Sequence, residues 1–202
     1  QMCIRDSIRP GKSIDFGFDV EKYFNPLIEQ LTKFYNADSI EPIEFYGNCY
    51  NGNADLFTTM SYLPHVDTFP GADEDINPLN DYAFNLNVTK SDKVKTAFYS
   101  FNGKKSVCDW TPDDYDDHDR VRDRHKKIKA KDWRLLSSEN FQNYQLEYIA
   151  NIEYNSLILY PSHYWHSVYI KEDWFTDTDR VTFTGFFETK TTSPKRKKLG
   201  FG

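Results

Sequence analysis

Hydrophobic positions divide the chain into one amphipathic helix followed by many short strands. From Asp19 onward, apolar residues recur three or four positions apart and form a stripe along one helix face, at Val20, Tyr23, Phe24, Leu27, Ile28 and Leu31. Further along, short apolar or alternating segments predict strands at 43–50, 60–66, 82–88, 96–101, 146–149, 156–160, 167–170 and 181–187. This pattern predicts a mainly β fold, a sandwich or jelly-roll, with the helix braced against the outside of a sheet.

Length and composition fit a single soluble enzyme domain. The chain of 202 residues lies within the usual size of one domain, and no apolar stretch approaches the roughly 20 residues of a membrane-spanning helix. Aromatic side chains make up 17% of it, which suits a β-rich core with an aromatic-lined cavity. The net charge of −6 disfavours nucleic acid as the main partner, because such binding depends on basic patches. Cys3, Cys49 and Cys108 lack metal-binding spacing, so we expect free thiols in a reducing, cytoplasmic compartment.

The two ends of the chain are expected to lie outside the domain. Residues 1–7, QMCIRDS, resemble translated sequencing-adapter sequence and are treated as a non-native artefact. Residues 8–190 then form the single domain, with a core at about 43–189 and an insertion at 109–143. Residues 191–202 form a short basic tail that is expected to be disordered.

A histidine and a carboxylate two residues apart begin the candidate chemistry. On a strand such side chains project to the same face, so His65 and Asp67 in SYLPHVDTF would present an imidazole and a carboxylate to one point. The spacing alone is weak evidence, because a His-x-Asp pair is common by chance. A third ligand, His166, can come from the later segment LILYPSHYWHSVYI. Two histidines and one carboxylate on one face of a metal, with other positions open, are the ligands of non-heme Fe(II) oxygenases.

Two histidines compete for the third ligand position. An apolar run is expected to end at Pro161, after which a new strand begins. Counting by twos, His166 shares the apolar, inward face with Val168 and Ile170. His163 would face the opposite way. We therefore predict His166 as the ligand and His163 as a rim residue or a partner of the ligands.

Arg180 is a candidate receptor for an anion. It opens a predicted strand on which Arg180, Thr182 and Thr184 share one face. A guanidinium can bind a carboxylate through two parallel hydrogen bonds, and a hydroxyl two residues on adds a further donor. The alternative is an exposed edge arginine in a salt bridge.

Asparagines on another predicted strand could also bind a co-substrate. Ala83, Asn85 and Asn87 share a face within YAFNLNV. On a cavity face their amides could hydrogen-bond a co-substrate or substrate. The alternative is a sheet face in contact with solvent.

Two segments near these residues have the composition of a loop and an added helix. Residues 68–81, TFPGADEDINPLND, contain two prolines, a glycine and several acids, and they are placed to form a lid. The insertion has a candidate cap at Thr111, Pro112 at the first helical position, acids early and bases late. Its few apolar positions predict a solvated outer helix, so no chemistry is assigned to His118 or His125.

The candidate residues together resemble a known enzyme family. The order His-x-Asp, then LILYP with a histidine five residues past the proline, then Arg-x-Thr, resembles the 2-oxoglutarate and Fe(II)-dependent oxygenases. The segments YAFNLNV, KTAFYSF and YNSLILYPSHYWHSVYI are similar to the double-stranded β-helix core of an uncharacterised bacterial and phage branch related to the prolyl hydroxylase-like enzymes. The resemblance spans about residues 43–189. One departure is Val94-Lys95, where relatives often carry Gly-Gly before Thr-Ala-Phe-Tyr.

The resemblance implies an oxygenase with a cupin-like jelly-roll core. It implies that His65, Asp67 and His166 bind iron and that Arg180, with Thr182, holds the distal carboxylate of 2-oxoglutarate. Fe(II), 2-oxoglutarate and O₂ are then the cofactors, with ascorbate as an optional addition. The expected reaction is hydroxylation of a C–H bond in an amino acid, a peptidyl side chain or a small metabolite.

Two other classes of protein compete with the oxygenase. One is a catalytically inactive jelly-roll that serves binding or structure, which the complete ligand set disfavours. The other is a cupin-type metalloenzyme, which is disfavoured because cupin sites usually use more histidines and do not need Arg180. No sequence pattern specifies the substrate or an oligomeric state.

Overall fold

A computed structural model describes residues 12–14, 20–50, 64–67, 81–125, 143–171, 174–175 and 177–190. These residues form, in chain order, β1 (Lys12–Ile14), α1 (Val20–Tyr35), β2 (Ser39–Tyr50), β3 (Asp81–Asn87), β4 (Lys95–Phe101), α2 (Pro112–His125), β5 (Tyr144–Asn151), β6 (Leu157–Pro161), β7 (His166–Val168) and β8 (Arg180–Lys190). The predictions for residues 1–7, for the lid apart from its last residue, for the later part of the insertion and for the tail lie outside the described residues. So does most of the strand predicted at 60–66.

Two antiparallel sheets are built from these strands. The larger has the order β1-β2-β8-β3-β6, and the smaller has the order β5-β4-β7. Residues 64–67 extend the smaller sheet, because His65 forms an antiparallel bridge with His166 of β7. Phe98 of β4 packs against Ala83, Tyr160 and Phe186 of the larger sheet, so the two sheets enclose a common interior.

The strand pairing follows the path of a folded ribbon. β4 pairs with β5, β3 with β6, residues 64–67 with β7, and β2 with β8, so each earlier segment pairs with the corresponding later one. Successive pairs lie in opposite sheets, so the ribbon winds around the interior as it folds. This topology is a jelly-roll. The predicted fold class, mainly β with flanking helices, is confirmed.

Helix α1 covers the outer face of the larger sheet, as its apolar stripe predicts. Leu31 is buried in one cluster with Ile40, Phe84 and Phe187, and the rings of Phe24 and Phe84 lie 5.4 Å apart. Side chains on alternate positions of a strand face opposite ways, so these outward residues leave the other face of the same sheet to the interior.

Helix α2 covers the outer face of the smaller sheet. It begins at Pro112, as predicted, and most of its described residues are exposed, but one face is buried, since Asp114, His118 and Val121 lie in the interior at helical spacing. They face a cluster of aromatic side chains formed by Phe101, Trp110, Tyr144 and Trp165. The count of apolar positions missed this contact, because two of the three buried residues are polar.

Asp114 fixes the start of α2 to the smaller sheet. Its carboxylate accepts hydrogen bonds from the Thr111 amide at 2.7 Å and from the Lys104 ammonium group at 2.5 Å. These bonds hold the pKa of Asp114 below its usual range.

Among the described helices, neither is both long and apolar enough to cross a membrane.

Candidate metal centre

His65 and His166 lie directly opposite each other on adjacent segments of the smaller sheet. The amide of His65 donates to the carbonyl of His166 at 2.8 Å, and the amide of His166 donates to the carbonyl of His65 at 2.9 Å. Opposite residues of an antiparallel pair project their side chains to the same face. The two imidazole rings accordingly lie 4.5 Å apart between centroids.

Asp67 joins the two histidines on this face. Its amide donates to the carbonyl of Ser162 at 2.8 Å, which holds its backbone against the loop between β6 and β7. Its carboxylate oxygens lie 3.3 Å from Nε2 of His166 and 3.9 Å from Nε2 of His65. The ligand atoms of His65, Asp67 and His166 all lie within 4.8 Å of one another, so the three side chains could hold a metal ion.

The three side chains differ in their contact with solvent. The Asp67 and His166 side chains are only 7% and 6% exposed, whereas that of His65 is 35% exposed. The cluster is therefore closed on the side of Asp67 and His166 and open on the side of His65. A small molecule would reach it from the open side.

The ring of His166 is fixed by a backbone carbonyl. Its Nδ1 donates to the carbonyl oxygen of Tyr164 at 2.9 Å. A carbonyl oxygen only accepts, so Nδ1 carries a proton and Nε2 is the ring atom that faces Asp67. A histidine held in this way is prepared to bind a metal through Nε2.

A chain of hydrogen bonds leads from the larger sheet to Nε2 of His166. The hydroxyl of Thr184 donates to the Asn85 side-chain carbonyl at 2.7 Å, and the Asn85 amide donates to the hydroxyl of Tyr160 at 3.1 Å. The Tyr160 hydroxyl lies 3.3 Å from Nε2 of His166. Tyr160 is 4% exposed, so this contact lies in the interior.

Arg180 lies on the interior face of a central strand. β8 runs between β2 and β3, and Arg180, Thr182 and Thr184 are all buried on one face of it. The Nη1 atom of Arg180 donates to the hydroxyl of Thr182 at 3.3 Å. The predicted shared face is confirmed, and the alternative of an exposed edge arginine is wrong.

The two asparagines of β3 have different surroundings. Asn87 is fully buried, and its amide donates to the carbonyl of Ile152 at 2.8 Å while its side-chain oxygen accepts from the Thr89 amide at 2.7 Å. Asn85 is half-buried, and its two polar atoms contact Thr184 and Tyr160. The alternative of a solvated sheet face is therefore wrong, and Asn85 is linked through Tyr160 to His166 of the candidate site.

His163 lies outside the cluster of three. Its Nδ1 is 2.8 Å from the hydroxyl of Ser106, which also accepts from the amide of Cys108 at 2.9 Å. Burial lowers the pKa of His163. Within the described part of the chain, the group of three side chains that could hold a metal ion contains His166 and not His163.

Sequence reasoning missed the contacts that Tyr160 and Tyr164 make with the ring of His166. Tyr160 counted only as the last apolar residue of a buried strand, although its even spacing from Ile158 could have indicated an interior hydroxyl. The Tyr164 contact uses a main-chain carbonyl, which any residue could supply. Residue identity therefore carries no signal for it.

Comparisons with known proteins found similarity in structure only. No protein-family model matches the sequence. No curated protein matches it either.

Among solved structures, the chain is similar to an N-substituted L-amino acid dioxygenase from Burkholderia ambifaria AMMD, in complex with alpha-KG, with a TM-score of 0.45 and 10% identity. That match covers 81% of this chain and 62% of the other, so the chain spans less than two thirds of the dioxygenase's length. It is also similar to HygX from Streptomyces hygroscopicus. The HygX structure with nickel and 2-oxoglutarate matches with a TM-score of 0.44 and 11% identity, over 92% of this chain and 76% of HygX. The iron-bound HygX structure matches with a TM-score of 0.39 and 12% identity, over 94% and 86%.

Proposed function

We propose that the protein is an Fe(II)- and 2-oxoglutarate-dependent dioxygenase that hydroxylates a C–H bond of an amino acid, a peptidyl side chain or a small metabolite. The observation that carries the proposal is the convergence of His65, Asp67 and His166 on one interior point, beside a sheet face that also bears the buried Arg180. The relation to the bacterial and phage branch of prolyl hydroxylase-like enzymes stays a prediction.

The chemistry of the three ligands fits a divalent iron ion. Two imidazoles and one carboxylate are its donor set when positions must stay open for other ligands. The separations of 3.3 and 3.9 Å between Asp67 and the two imidazole nitrogens are longer than a normal hydrogen bond. All three ligand atoms lie within 4.8 Å of one another, so the side chains of His65, Asp67 and His166 could together hold one ion.

The remaining polar groups of the interior suit a dicarboxylic co-substrate. The guanidinium of Arg180 can pair with a distal carboxylate, and the hydroxyl of Thr182, which now accepts from Arg180, can turn to donate to the same group. When bound, iron with 2-oxoglutarate and O₂ supplies the oxidising chemistry. The protein holds the ligands, orients the co-substrate and admits the substrate from the side of His65.

Metal binding tests the assignment of the three ligands. We expect calorimetry to detect one Mn(II) bound per chain, and we expect His65→Ala, Asp67→Ala and His166→Ala each to abolish this binding. Each variant removes one of three ligand atoms, and two ligands do not define a closed site. Mn(II) serves as a redox-silent substitute for Fe(II).

Two other histidines provide matched controls. His163→Ala and His118→Ala also remove a buried imidazole, but neither side chain belongs to the cluster. Both variants should bind Mn(II) as the unmodified protein does. Normal affinity in His166→Ala, together with loss in His163→Ala, would reverse the assignment.

A further inference from the structure

Thr96 carries a buried hydroxyl for which the described part of the chain offers no hydrogen-bond partner. The residue is 1% exposed, and its Oγ1 forms no hydrogen bond with any side chain or backbone group of the described residues. Nearly all buried polar groups in folded proteins are paired, because an unpaired one keeps the cost of its lost hydration. The hydroxyl of Thr96 therefore points to a partner that is not part of the chain.

The hydroxyl lies on the interior side of the smaller sheet. Along β4, Ala97 and Tyr99 belong to the cluster on the outer face, beneath α2. Phe98 lies between them and packs against the larger sheet. Side chains alternate along a strand, so Thr96 shares the interior face with Phe98.

The strand register places Thr96 beside the candidate metal centre. β4 pairs with β7 so that Phe98 lies opposite His166 and Thr96 lies opposite Val168. His166 and Thr96 are therefore diagonal neighbours on one face, and such neighbours lie about 7–8 Å apart. A molecule that is bound at the metal and extends along the interior comes within reach of the hydroxyl.

The step from His166 to Thr96 leads towards the end of the sandwich at which Arg180 lies. The segment before β4 is held against the start of β8: the Val88 amide donates to the Val181 carbonyl at 3.2 Å, and the Val181 amide donates to the Thr89 hydroxyl at 2.6 Å. Thr96 is the second residue of β4, and Arg180 is the first residue of β8. A molecule that spans from the metal to Arg180 therefore passes Thr96.

We propose that Thr96 donates its hydroxyl hydrogen to the distal carboxylate of the co-substrate, from the sheet that faces Arg180. The inference rests on the proposed function. The keto acid end of 2-oxoglutarate belongs to the metal, and the methylene groups between the two ends offer no acceptor. The distal carboxylate is thus the group that can satisfy the hydroxyl, and it is held from both sheets when it binds.

Removal of the hydroxyl tests this contact without use of the reaction. Thr96→Val keeps a branched side chain of similar size. Calorimetry would measure Mn(II) binding first, which should be unchanged, and then the binding of 2-oxoglutarate to the Mn(II)-loaded protein. The dissociation constant of 2-oxoglutarate should rise about tenfold, which corresponds to one lost hydrogen bond of about 1.4 kcal/mol. Thr96→Ser keeps a hydroxyl and should restore most of the affinity.

The same variant should stabilise the protein in the absence of metal and co-substrate. Thr96→Val removes a buried hydroxyl that has no partner in the ligand-free fold, so the midpoint of urea unfolding should rise. A hydroxyl with a purely structural role would give the opposite result, because its loss would break a bond that the folded chain already makes. Higher stability together with weaker 2-oxoglutarate binding is therefore the expected signature.

Thr189→Val is the matched control. Thr189 is 7% exposed, and the alternation along β8 places it on the same face as Phe187, which packs under α1. The variant makes the same chemical change in another buried threonine, and it should leave 2-oxoglutarate affinity unchanged. 2-Oxobutyrate, which has no distal carboxylate, should bind equally well to the unmodified protein and to Thr96→Val.

The possible outcomes separate this inference from the proposed function. Unchanged 2-oxoglutarate affinity in Thr96→Val would overturn the contact while the metal site stands, and a buried water that satisfies the hydroxyl would give this result. A lower urea midpoint or a loss of Mn(II) binding would also overturn it, since Thr96 would then support the fold or the ligands. Equal weakening of 2-oxoglutarate and 2-oxobutyrate would exclude the distal carboxylate as the partner. If the unmodified protein binds neither Mn(II) nor 2-oxoglutarate, the proposed function fails and the inference fails with it.

Discussion

Arg180 concentrates a positive charge in the interior of the sandwich. It is 3% exposed, and its Nη1 donates to the neutral hydroxyl of Thr182. A guanidinium can bind a carboxylate through two parallel hydrogen bonds. The distal carboxylate of the proposed co-substrate would be such a partner.

Replacement of Arg180 should weaken the co-substrate and spare the metal. We expect Arg180→Ala to raise the dissociation constant of 2-oxoglutarate by about 10- to 100-fold, the usual loss for a hydrogen-bonded charge pair. Arg180→Lys should restore only part of the affinity, because an ammonium cannot form two parallel bonds to one carboxylate. Calorimetry on the Mn(II)-loaded variants measures both effects, and unchanged Mn(II) affinity shows that the three ligands are intact.

An analogue without the distal carboxylate supplies the control for Arg180. 2-Oxobutyrate keeps the keto acid end of 2-oxoglutarate and lacks the second carboxylate. Its affinity should be lower in the unmodified protein and insensitive to Arg180→Ala. If the variant weakens both compounds equally, Arg180 acts on the metal end or on folding, and the pairing with the distal carboxylate is wrong.

Period-two spacing was enough to predict several single residues. It predicts that His166 lies on the inward face and that Arg180, Thr182 and Thr184 share one face. The structure has both arrangements. It could not predict contacts made through the main chain, such as the Tyr164 carbonyl that fixes His166. It also gave no reason to separate Asn87, which is held by Ile152 and Thr89, from Asn85. Those differences depend on loops that only the folded chain brings near.

At the level of elements, α2 shows how a polar helix can be part of a core. His118 is 8% exposed and packs against Trp110 and Trp165 with ring centroids 5.3 and 5.1 Å away. Burial, assisted by the nearby Arg122, lowers the pKa of His118 from 6.5 to about 4. The imidazole is therefore neutral in the folded protein near neutral pH.

This buried histidine should make folding stability depend on pH. Between pH 6.5 and about pH 4 the unfolded chain binds a proton at His118 and the folded chain does not. Stability therefore falls as pH falls through this window. The loss should be on the order of 3 kcal/mol, since one pKa unit corresponds to about 1.4 kcal/mol. Urea unfolding at several pH values, with a chelator present, measures it.

His118→Phe should remove most of that pH dependence. Phenylalanine keeps an aromatic ring among Phe101, Trp110 and Trp165 and does not titrate. The comparison uses the slope of the unfolding free energy against pH, because a change in packing shifts that free energy equally at every pH. His118→Gln gives a second variant that does not titrate. Equal slopes in the unmodified protein and both variants would show that His118 has the same pKa in the folded and unfolded chains, and would contradict this prediction.

Element types were predicted better than element ends. α1 forms where the apolar stripe predicts it, and β6 ends at Pro161 as expected. β8 begins at Arg180, as predicted, and extends past the predicted end at 187 to Lys190, because pairing with β2 and β3 stabilises positions whose own sequence pattern is weak. The buried face of α2 was missed because a hydrophobic count does not recognise an aspartate and a histidine that are satisfied in place.

At the scale of the whole molecule, the winding of the ribbon creates the site. His65 and His166 are about a hundred positions apart in sequence. They meet because residues 64–67 pair with β7 in the smaller sheet. Arg180 begins β8, which pairs with β2 in the larger sheet. One topology thus places three candidate ligands on one sheet and a candidate anion receptor on the facing one. Sequence spacing could indicate the order of these parts, whereas their convergence needs the fold.

The measurement that tests this account most directly is the anaerobic titration of the protein with Fe(II) and 2-oxoglutarate, followed by visible absorption. A keto acid that chelates Fe(II) gives a charge-transfer band, which neither component gives alone. The account predicts a band that saturates at one Fe(II) and one 2-oxoglutarate per chain, is absent in Asp67→Ala, and needs far more 2-oxoglutarate in Arg180→Ala. Absence of the band from the folded, unmodified protein at saturating Fe(II) and 2-oxoglutarate would contradict it and would favour a jelly-roll that binds or assembles without this chemistry.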